Sequence, residues 1–494
     1  METIRSWKLD HANLQIECES GAAQELNEFF SFFVPGYKFM PAFRSRMWDG
    51  KIRLFTMRDK TLPAGLFYHL SEFCEKRGYI LETETTDYGS PDERNHISPS
   101  DLSLFLGGLN LPFDPRPYQY ECVGEALIRK RAILLSPTGS GKSFIIYLIA
   151  RYWLQQLAKR HAEKILLVVP TTSLVEQMHS DFLSYGWDER SLHRIYSGKD
   201  KDFGDAECVI TTWQSIYKLP KIWFEQFGCV FGDECHGFKS KSLMNIMNKC
   251  SEAEYRFGTT GTLDGSQTHE LVLQGLFGKV FRVTTTKSLQ DNDTLAKLKI
   301  TRLVLTYSDE VRQNFGKQAY QDELNFIVTH EKRNKFIKNL ASSLKGNTLI
   351  LFNYVEKHGI PLFELIRNSV DEDRKVFFVS GDTQTSDREA IRGIVEKQKD
   401  AIVVASLGTF STGINIKELH NIIFASPSKS QIRVLQSIGR GLRKSKDGRT
   451  TELYDITDDL SWQARKNFCL LHSFERLKMY KTEEFDYKTY KVDL

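Results

Sequence analysis

The eight cysteines of this 494-residue chain are scattered, and none forms a Cys-x-x-Cys pair. That excludes the usual thiolate zinc sites and argues against a disulfide framework in a chain of this size. No run of 18 or more apolar residues occurs, so no segment reads as a membrane-spanning helix. The start, Met1 to Lys8, lacks the apolar stretch of a secretory signal, and a cytoplasmic protein is the expectation. Internal repeats at a short fixed period and low-complexity tracts are absent. Net charge is only +4, so a polyanionic partner has to be met by locally concentrated cations. No further acidic cluster is left over to serve a nuclease or methylase.

What remains is a globular composition, 41% hydrophobic and 26% charged. At ~150 residues per domain the length predicts about three domains. Residues 1–100 mix short apolar and aromatic runs with basic residues. A helix over Gln24–Phe33, a strand at Ile52–Phe55 and a helix over Leu66–Lys76 predict a small α+β domain. Polar Thr83 to Ser98 is its exit linker. From about 106 the pattern becomes α/β. Apolar runs Ala132–Leu135, Ile165–Val169, Cys208–Thr212 and Cys229–Phe231 alternate with helical stretches. Such continuous runs predict a parallel sheet covered on both faces. A second series, Thr348–Phe352, Val376–Val379, Ala401–Ala405 and Ile422–Ala425, predicts a second lobe over 300–494. Residues 284–300 are the expected hinge, and Ser461–Leu494 reads as a helix with an aromatic and basic tail.

The chemistry lies in three ordered segments. In the first, Pro137, Thr138, Gly139, Ser140, Gly141, Lys142 and Ser143 follow a strand and open a helix. The glycines allow backbone N–H groups to converge on phosphate, Lys142 reaches the β and γ phosphates, and Ser143 ligates Mg²⁺. The second lobe has no such loop. In the second segment, Asp233 and Glu234 follow an apolar run, at the strand end where parallel sheets bind ligands. Asp233 suits a Mg²⁺ ligand, Glu234 a base for water, and His236 a coupling group. In the third, Arg440 and Arg443 lie three apart on one helix face and offer guanidinium groups to a transition state. Together the three predict ATP hydrolysis between two lobes.

These segments resemble the ordered motifs of superfamily 2 helicases over residues 106–455, and most closely those of phage recombination helicases. The resemblance implies two tandem RecA-like lobes, lobe 1 over 106–285 and lobe 2 over 300–494, with ATP and Mg²⁺ as cofactors. Arg116-Pro117-Tyr118-Gln119 resembles the adenine-reading segment, with Gln119 on the base. Val169 to Gln177, with Thr171 and Thr172, resembles a strand-contacting motif, and Thr211-Thr212-Trp213-Gln214 the next. Gly258-Thr259-Thr260-Gly261-Thr262 resembles the motif that couples the lobes, and Ser380-Gly381 and Ser406 to Ile416 second-lobe motifs. The tetrad Asp-Glu-Cys-His sets the chain apart from the DEAD-box helicases. After Thr412-Gly413-Ile414 it carries Asn415 where many relatives are acidic, which leaves a weaker ribose contact through Gly413 and Asn415.

The resemblance further implies remodelling of branched DNA (forks, Holliday junctions, R-loops) in recombination, repair and replication restart; a monomer is expected, in the host-cell cytoplasm if the chain is phage-encoded. An RNA helicase and an ATP-switched strand-annealing protein remain rival readings. Locally, residues 38–60 carry seven Lys and Arg against Asp49 and Asp59, a net of +5, interleaved with Phe39, Phe43, Trp48 and Phe55. Arg44, Arg46 and Lys51 are the expected phosphate contacts, while Phe39 and Phe55 are expected in the small domain's core.

Overall fold

The computed structural model describes residues 2–84, 97–158, 162–196, 201–238, 240–263, 267–292, 295, 297–315, 319–409, 416, 419–427 and 450–494. By contacts the chain divides into two units, Met1–Ser136 with Gly141–Thr284, and Thr285–Leu494 with Pro137–Ser140. Among the described residues no helix is long and apolar enough to cross a membrane.

The first unit begins with a small sheet. Its strands are β1 (Thr3–Lys8), β2 (Asn13–Glu17), β3 (Ser31–Phe33), β4 (Lys51–Arg53), β5 (Thr61–Pro63) and β6 (Ile80–Thr83). Four pair in the order β5-β2-β1-β6, and β3-β4 form a separate antiparallel pair. Alternation sends Leu14 and Ile16 of β2 inward, to pack with Leu26 of helix Ser20–Phe29 and with Leu70 and Phe73 of helix Phe67–Arg77. Phe55 is in this core at 1% exposure, but Phe39 is 77% exposed. Phe39 follows the residue-34–50 excursion between β3 and β4 away from the core, so its apolar ring did not earn it an interior place.

This small core runs directly into Leu271 and Val272 of helix Gln267–Phe277. At Gly65 the fit is closest: a Cβ there would lie 1.9 Å from the Gln274 carbonyl oxygen. Arg131 Nη2 also donates to the His11 carbonyl at 2.8 Å.

The large sheet of this unit comprises β7 (Arg131–Leu135), β8 (Lys164–Val169), β9 (Leu192–Ile195), β10 (Cys208–Thr212), β11 (Phe227–Asp233), β12 (Tyr255–Thr260) and β13 (Val280–Arg282). All pairings are parallel, in the order β13-β7-β12-β11-β8-β10-β9. Ile165, Leu167 and Val169 of β8 enter one cluster and Leu166 and Val168 the other. An unbroken apolar run is what a strand covered on both faces requires. A fully buried Leu or Ile contributes about 1.5–3 kcal/mol relative to exposure. Arg256 of β12 is also buried, and it donates to the carbonyls of Leu276 (3.1 Å), Cys250 (2.8 Å) and Met247 (2.5 Å). It ties two covering helices to the sheet.

The second unit has β14 (Leu298–Thr306), β15 (Thr348–Phe352), β16 (Val376–Val379), β17 (Ile402–Ser406), β18 (Asn421–Phe424), β19 (Thr451–Asp459) and β20 (Tyr487–Asp493). They form a second all-parallel sheet, β16-β17-β15-β18-β19-β14-β20. The chain is thus two RecA-like parallel sheets with an N-terminal α+β region. The stretch 284–300 holds helix Thr286–Asp291 and the start of β14. The C-terminal stretch is helix Phe468–Thr482 followed by β20, which joins the sheet beside β14. Two carboxylates of β19 are wholly buried and paired. Asp458 takes Arg333 Nε at 2.7 Å and the Tyr307 hydroxyl at 2.8 Å. Asp455 takes Arg476 Nη2 at 2.7 Å and the Tyr480 hydroxyl at 3.0 Å. The second pair fixes the C-terminal helix to the sheet.

Candidate active site

The loops that leave the C-terminal ends of the first unit's central strands collect the predicted residues at one sheet edge. The glycine loop, residues 137–143, follows β7, Thr171 and Thr172 follow β8, Thr212 ends β10, Asp233 ends β11, and Thr260 ends β12. Parallel α/β sheets bind ligands at this edge.

In the loop, Gly139 and Gly141 have φ of +85° and +82°, the left-handed region where a Cβ is costly. Gly141 caps helix Lys142–Tyr152, and a Cβ on it would meet Gln119 Nε2 at 2.5 Å. Gln119 therefore lies beneath the loop. It is 4% exposed, and its Oε1 accepts from the Arg116 N–H at 3.0 Å. Ser140 Oγ donates to the Pro137 carbonyl at 2.7 Å, which closes the turn that holds Thr138 and Gly139. The Ser136 N–H donates to Thr260 O at 2.9 Å and joins the loop to β12. Lys142 Nζ donates to Ser136 O at 3.3 Å. Ser143 Oγ is 3.1 Å from the Tyr185 hydroxyl.

Asp233 is 6% exposed and accepts from Thr259 Oγ1 at 2.7 Å. Burial holds its carboxyl above the usual carboxylate range, Glu234 adds to the effect, and the Lys142 ammonium and the Thr259 bond oppose it. Glu234 has φ +48°. Left-handed backbone at a non-glycine residue is uncommon and concentrates at functional sites. His236 Nδ1 is 3.3 Å from Glu234 Oε2 and 3.0 Å from Thr260 Oγ1. Thr260 Oγ1 in turn reaches the Thr262 carbonyl at 2.9 Å. A line of polar contacts therefore runs from Glu234 into the Gly258–Thr262 segment.

Thr171 caps helix Thr172–Ser184 and Thr172 is exposed. Thr212 is only 4% exposed, with its hydroxyl engaged by Ser215 Oγ at 2.9 Å. Trp213 is half-buried, 5.9 Å from the Tyr217 ring. Gly413, Asn415, Arg440 and Arg443 lie outside the described residues.

Arg44 and Arg46 stand together elsewhere, on the excursion between β3 and β4, and Lys51 lies at its end over the Phe33 ring. Lys51 opens β4, while Arg44 ends helix Pro41–Arg44 and Arg46 turns the chain at φ +58°. The cavity there is open, about 580 Å³, and is lined by Lys38, Phe43, Arg44, Arg46, Met47 and Trp48 with Asp49.

Two groups escaped the sequence reading. Thr259 lies within a quoted motif, but nothing local says that its hydroxyl clamps a carboxylate 26 residues earlier. Tyr185 lies in no motif, and only the fold puts its hydroxyl 3.1 Å from Ser143 Oγ.

Comparison with known proteins places the chain. Residues 4–84 match the family described as DNA helicase UvsW, N-terminal. Residues 112–265 match Type III restriction enzyme, res subunit, and 331–445 match Helicase conserved C-terminal domain. The ATP-dependent DNA helicase UvsW of Enterobacteria phage T4 is 36% identical over 507 residues, which cover 98% of each chain. The chain belongs to the UvsW family. It is an ATP-dependent superfamily 2 helicase, and ATP is its nucleotide. A crystal structure of T4 UvsW aligns over 99% of both chains, with 34% identity and a TM-score of 0.52. Farther off, the DNA 3'-5' translocase XPB2 of Sulfurisphaera tokodaii is 21% identical over 76% of this chain and 86% of its own.

Proposed function

We propose that this UvsW-family chain uses Mg²⁺-dependent ATP hydrolysis to remodel branched DNA (forks, Holliday junctions and R-loops) as a monomer in the cytoplasm of the cell that makes it. The observation that carries the hydrolysis part of this reading is the placement, at one strand-end edge, of Lys142 behind the left-handed Gly139 and Gly141 and of a buried, hydroxyl-supported Asp233 whose carboxyl feels the Lys142 ammonium. The left-handed backbone at Gly139 and Gly141, where a side chain is strained, fits a loop that must bring its N–H groups onto phosphate.

Bound Mg²⁺ supplies neutralising charge to the phosphates of ATP; Ser143 and Asp233 are the residues to hold it. Lys142 and the backbone N–H groups of residues 138–143 orient the phosphates. Gln119 serves the adenine, and Gly413 and Asn415 the ribose. Glu234 takes a proton from the attacking water, and Arg440 and Arg443 offer guanidinium groups to the developing charge. Thr171, Thr172 and the Thr212–Trp213 turn meet one strand's backbone, and such contacts carry little sequence information. Arg44, Arg46 and Lys51 add phosphate contacts on the N-terminal excursion. Lys142→Ala and Glu234→Gln are each expected to abolish DNA-stimulated ATP turnover and to spare DNA binding. Robust turnover by both purified variants refutes the assignment.

A further inference from the structure

The excursion between β3 and β4 displays apolar side chains that no packing explains. Met47 is 85% exposed and Phe39 77%. Their support is ordered. β3 and β4 pair in register from Ser31↔Arg53 to Phe33↔Lys51. Phe33 stacks on Tyr37 with ring centroids 4.6 Å apart, and Tyr37 meets Phe43 edge-on at 4.7 Å. Gly50, at φ +82°, lets the chain pass the Tyr37 ring, where a Cβ would lie 2.3 Å away. Trp48 Nε1 donates to the Lys51 carbonyl at 2.8 Å. The left-handed turn at Arg46 then precedes Met47. A small aromatic platform therefore holds two apolar groups out into water.

Cations flank them. Arg53 is paired with Asp49. Arg44 and Arg46 carry no ion pair among the described residues, and with Lys38 they line the open cavity that Met47 and Trp48 share. An exposed apolar patch rimmed by polar groups marks an interaction surface. The unpaired positive rim selects a polyanion, and flat or polarisable apolar groups beside phosphate-binding cations suit bases that have left their stack.

We propose that Phe39 and Met47 form the tip of a branch-reading element, which packs against unpaired bases at a DNA junction while Lys38, Arg44 and Arg46 hold the flanking phosphates. This rests on the branched-DNA reading above and deepens it. The tip supplies structure selectivity and the cations supply general affinity, so the two are separable.

The test compares wild type with Phe39→Ser/Met47→Ser and Arg44→Gln/Arg46→Gln in the full-length chain, after circular dichroism has established equal folding. Binding to a four-way junction, a fork and a linear duplex is measured over a salt series. DNA-stimulated ATPase on unbranched single strands runs in parallel. The tip variant is expected to lose about tenfold in junction affinity. Its affinity for linear duplex, its salt dependence and its single-strand ATPase stay as in wild type. The cation variant weakens on every DNA, and its salt slope falls by about 0.9 for each phosphate it no longer neutralises. A 2-aminopurine base at the branch is expected to report the tip through a fluorescence change that the tip variant abolishes. A tip variant with full junction preference overturns the proposal, even if it loses affinity for a protein or a lipid vesicle. A wild-type chain with no DNA-stimulated turnover overturns both this proposal and the reading beneath it.

Discussion

Thr259→Val removes one hydroxyl and keeps the shape of the side chain, so it isolates the support of Asp233. The hydroxyl donates to Asp233 Oδ1 at 2.7 Å in a site where the carboxylate is 6% exposed. A hydrogen bond to a charged group contributes about 1.5–3 kcal/mol, and a buried charge stripped of a partner bears its own desolvation cost. The bond favours the ionised carboxylate, the form that binds a divalent cation. Its loss is expected to raise the Mg²⁺ concentration needed for half-maximal ATPase by about 10-fold to 100-fold, from ~1.4 kcal/mol per factor of ten. Saturating Mg²⁺ restores most of the turnover, since Lys142 and Glu234 are untouched. Steady-state ATPase against Mg²⁺, with calorimetric binding of a Mg²⁺–ATP analogue beside it, reads both effects. An unchanged Mg²⁺ requirement in a folded Thr259→Val protein refutes the role given to Asp233.

Gly65→Ala is expected to disturb the junction of the small domain with helix Gln267–Phe277, because its Cβ would sit 1.9 Å from the Gln274 carbonyl. Overpacking costs about 1–3 kcal/mol, and a lowered thermal midpoint with ATPase retained in the surviving protein is the expected result. His358 predicts an acid-sensitive second unit. Burial pushes its imidazole down from 6.5 to about 3, so its contribution is fully present above pH 6.5 and is lost as pH falls toward 3. The loss is about 2 kcal/mol between pH 6.5 and 5; urea midpoints at the two values measure it, and His358→Gln is expected to flatten the slope.

The central parts of the fold were legible where local pattern and burial coincide. Cys208–Thr212, Thr348–Phe352 and Val376–Val379 appear as strands with the predicted limits, because a strand covered on both faces shows as an unbroken apolar run. The turn at residues 137–143 was legible because its left-handed backbone requires Gly139 and Gly141. β19 was not: its Asp455 and Asp458 interrupt the apolar pattern, and their buried partners Arg476 and Arg333 come from helices elsewhere in the chain. β20 is similar, an edge strand with an exposed face whose pairing partner β14 lies far back in the chain. Phe39 shows the opposite failure, since an aromatic residue in a short hydrophobic segment resembles core until the hairpin excursion carries it outward. Of the proposed site, the sequence names the residues, and the structure shows how far they come together. Lys142, Asp233 and Glu234 gather at one edge, whereas Thr212 turns its hydroxyl inward to Ser215.

The most direct measurement is ATP turnover by wild type and Glu234→Gln on single-stranded, duplex, forked and four-way DNA with matched RNA, alongside binding to the same panel. The expected result is strongest stimulation by forked and four-way DNA, with turnover lost and binding kept in Glu234→Gln. Wild-type-like turnover in Glu234→Gln, or stimulation by RNA above that by branched DNA, contradicts the account.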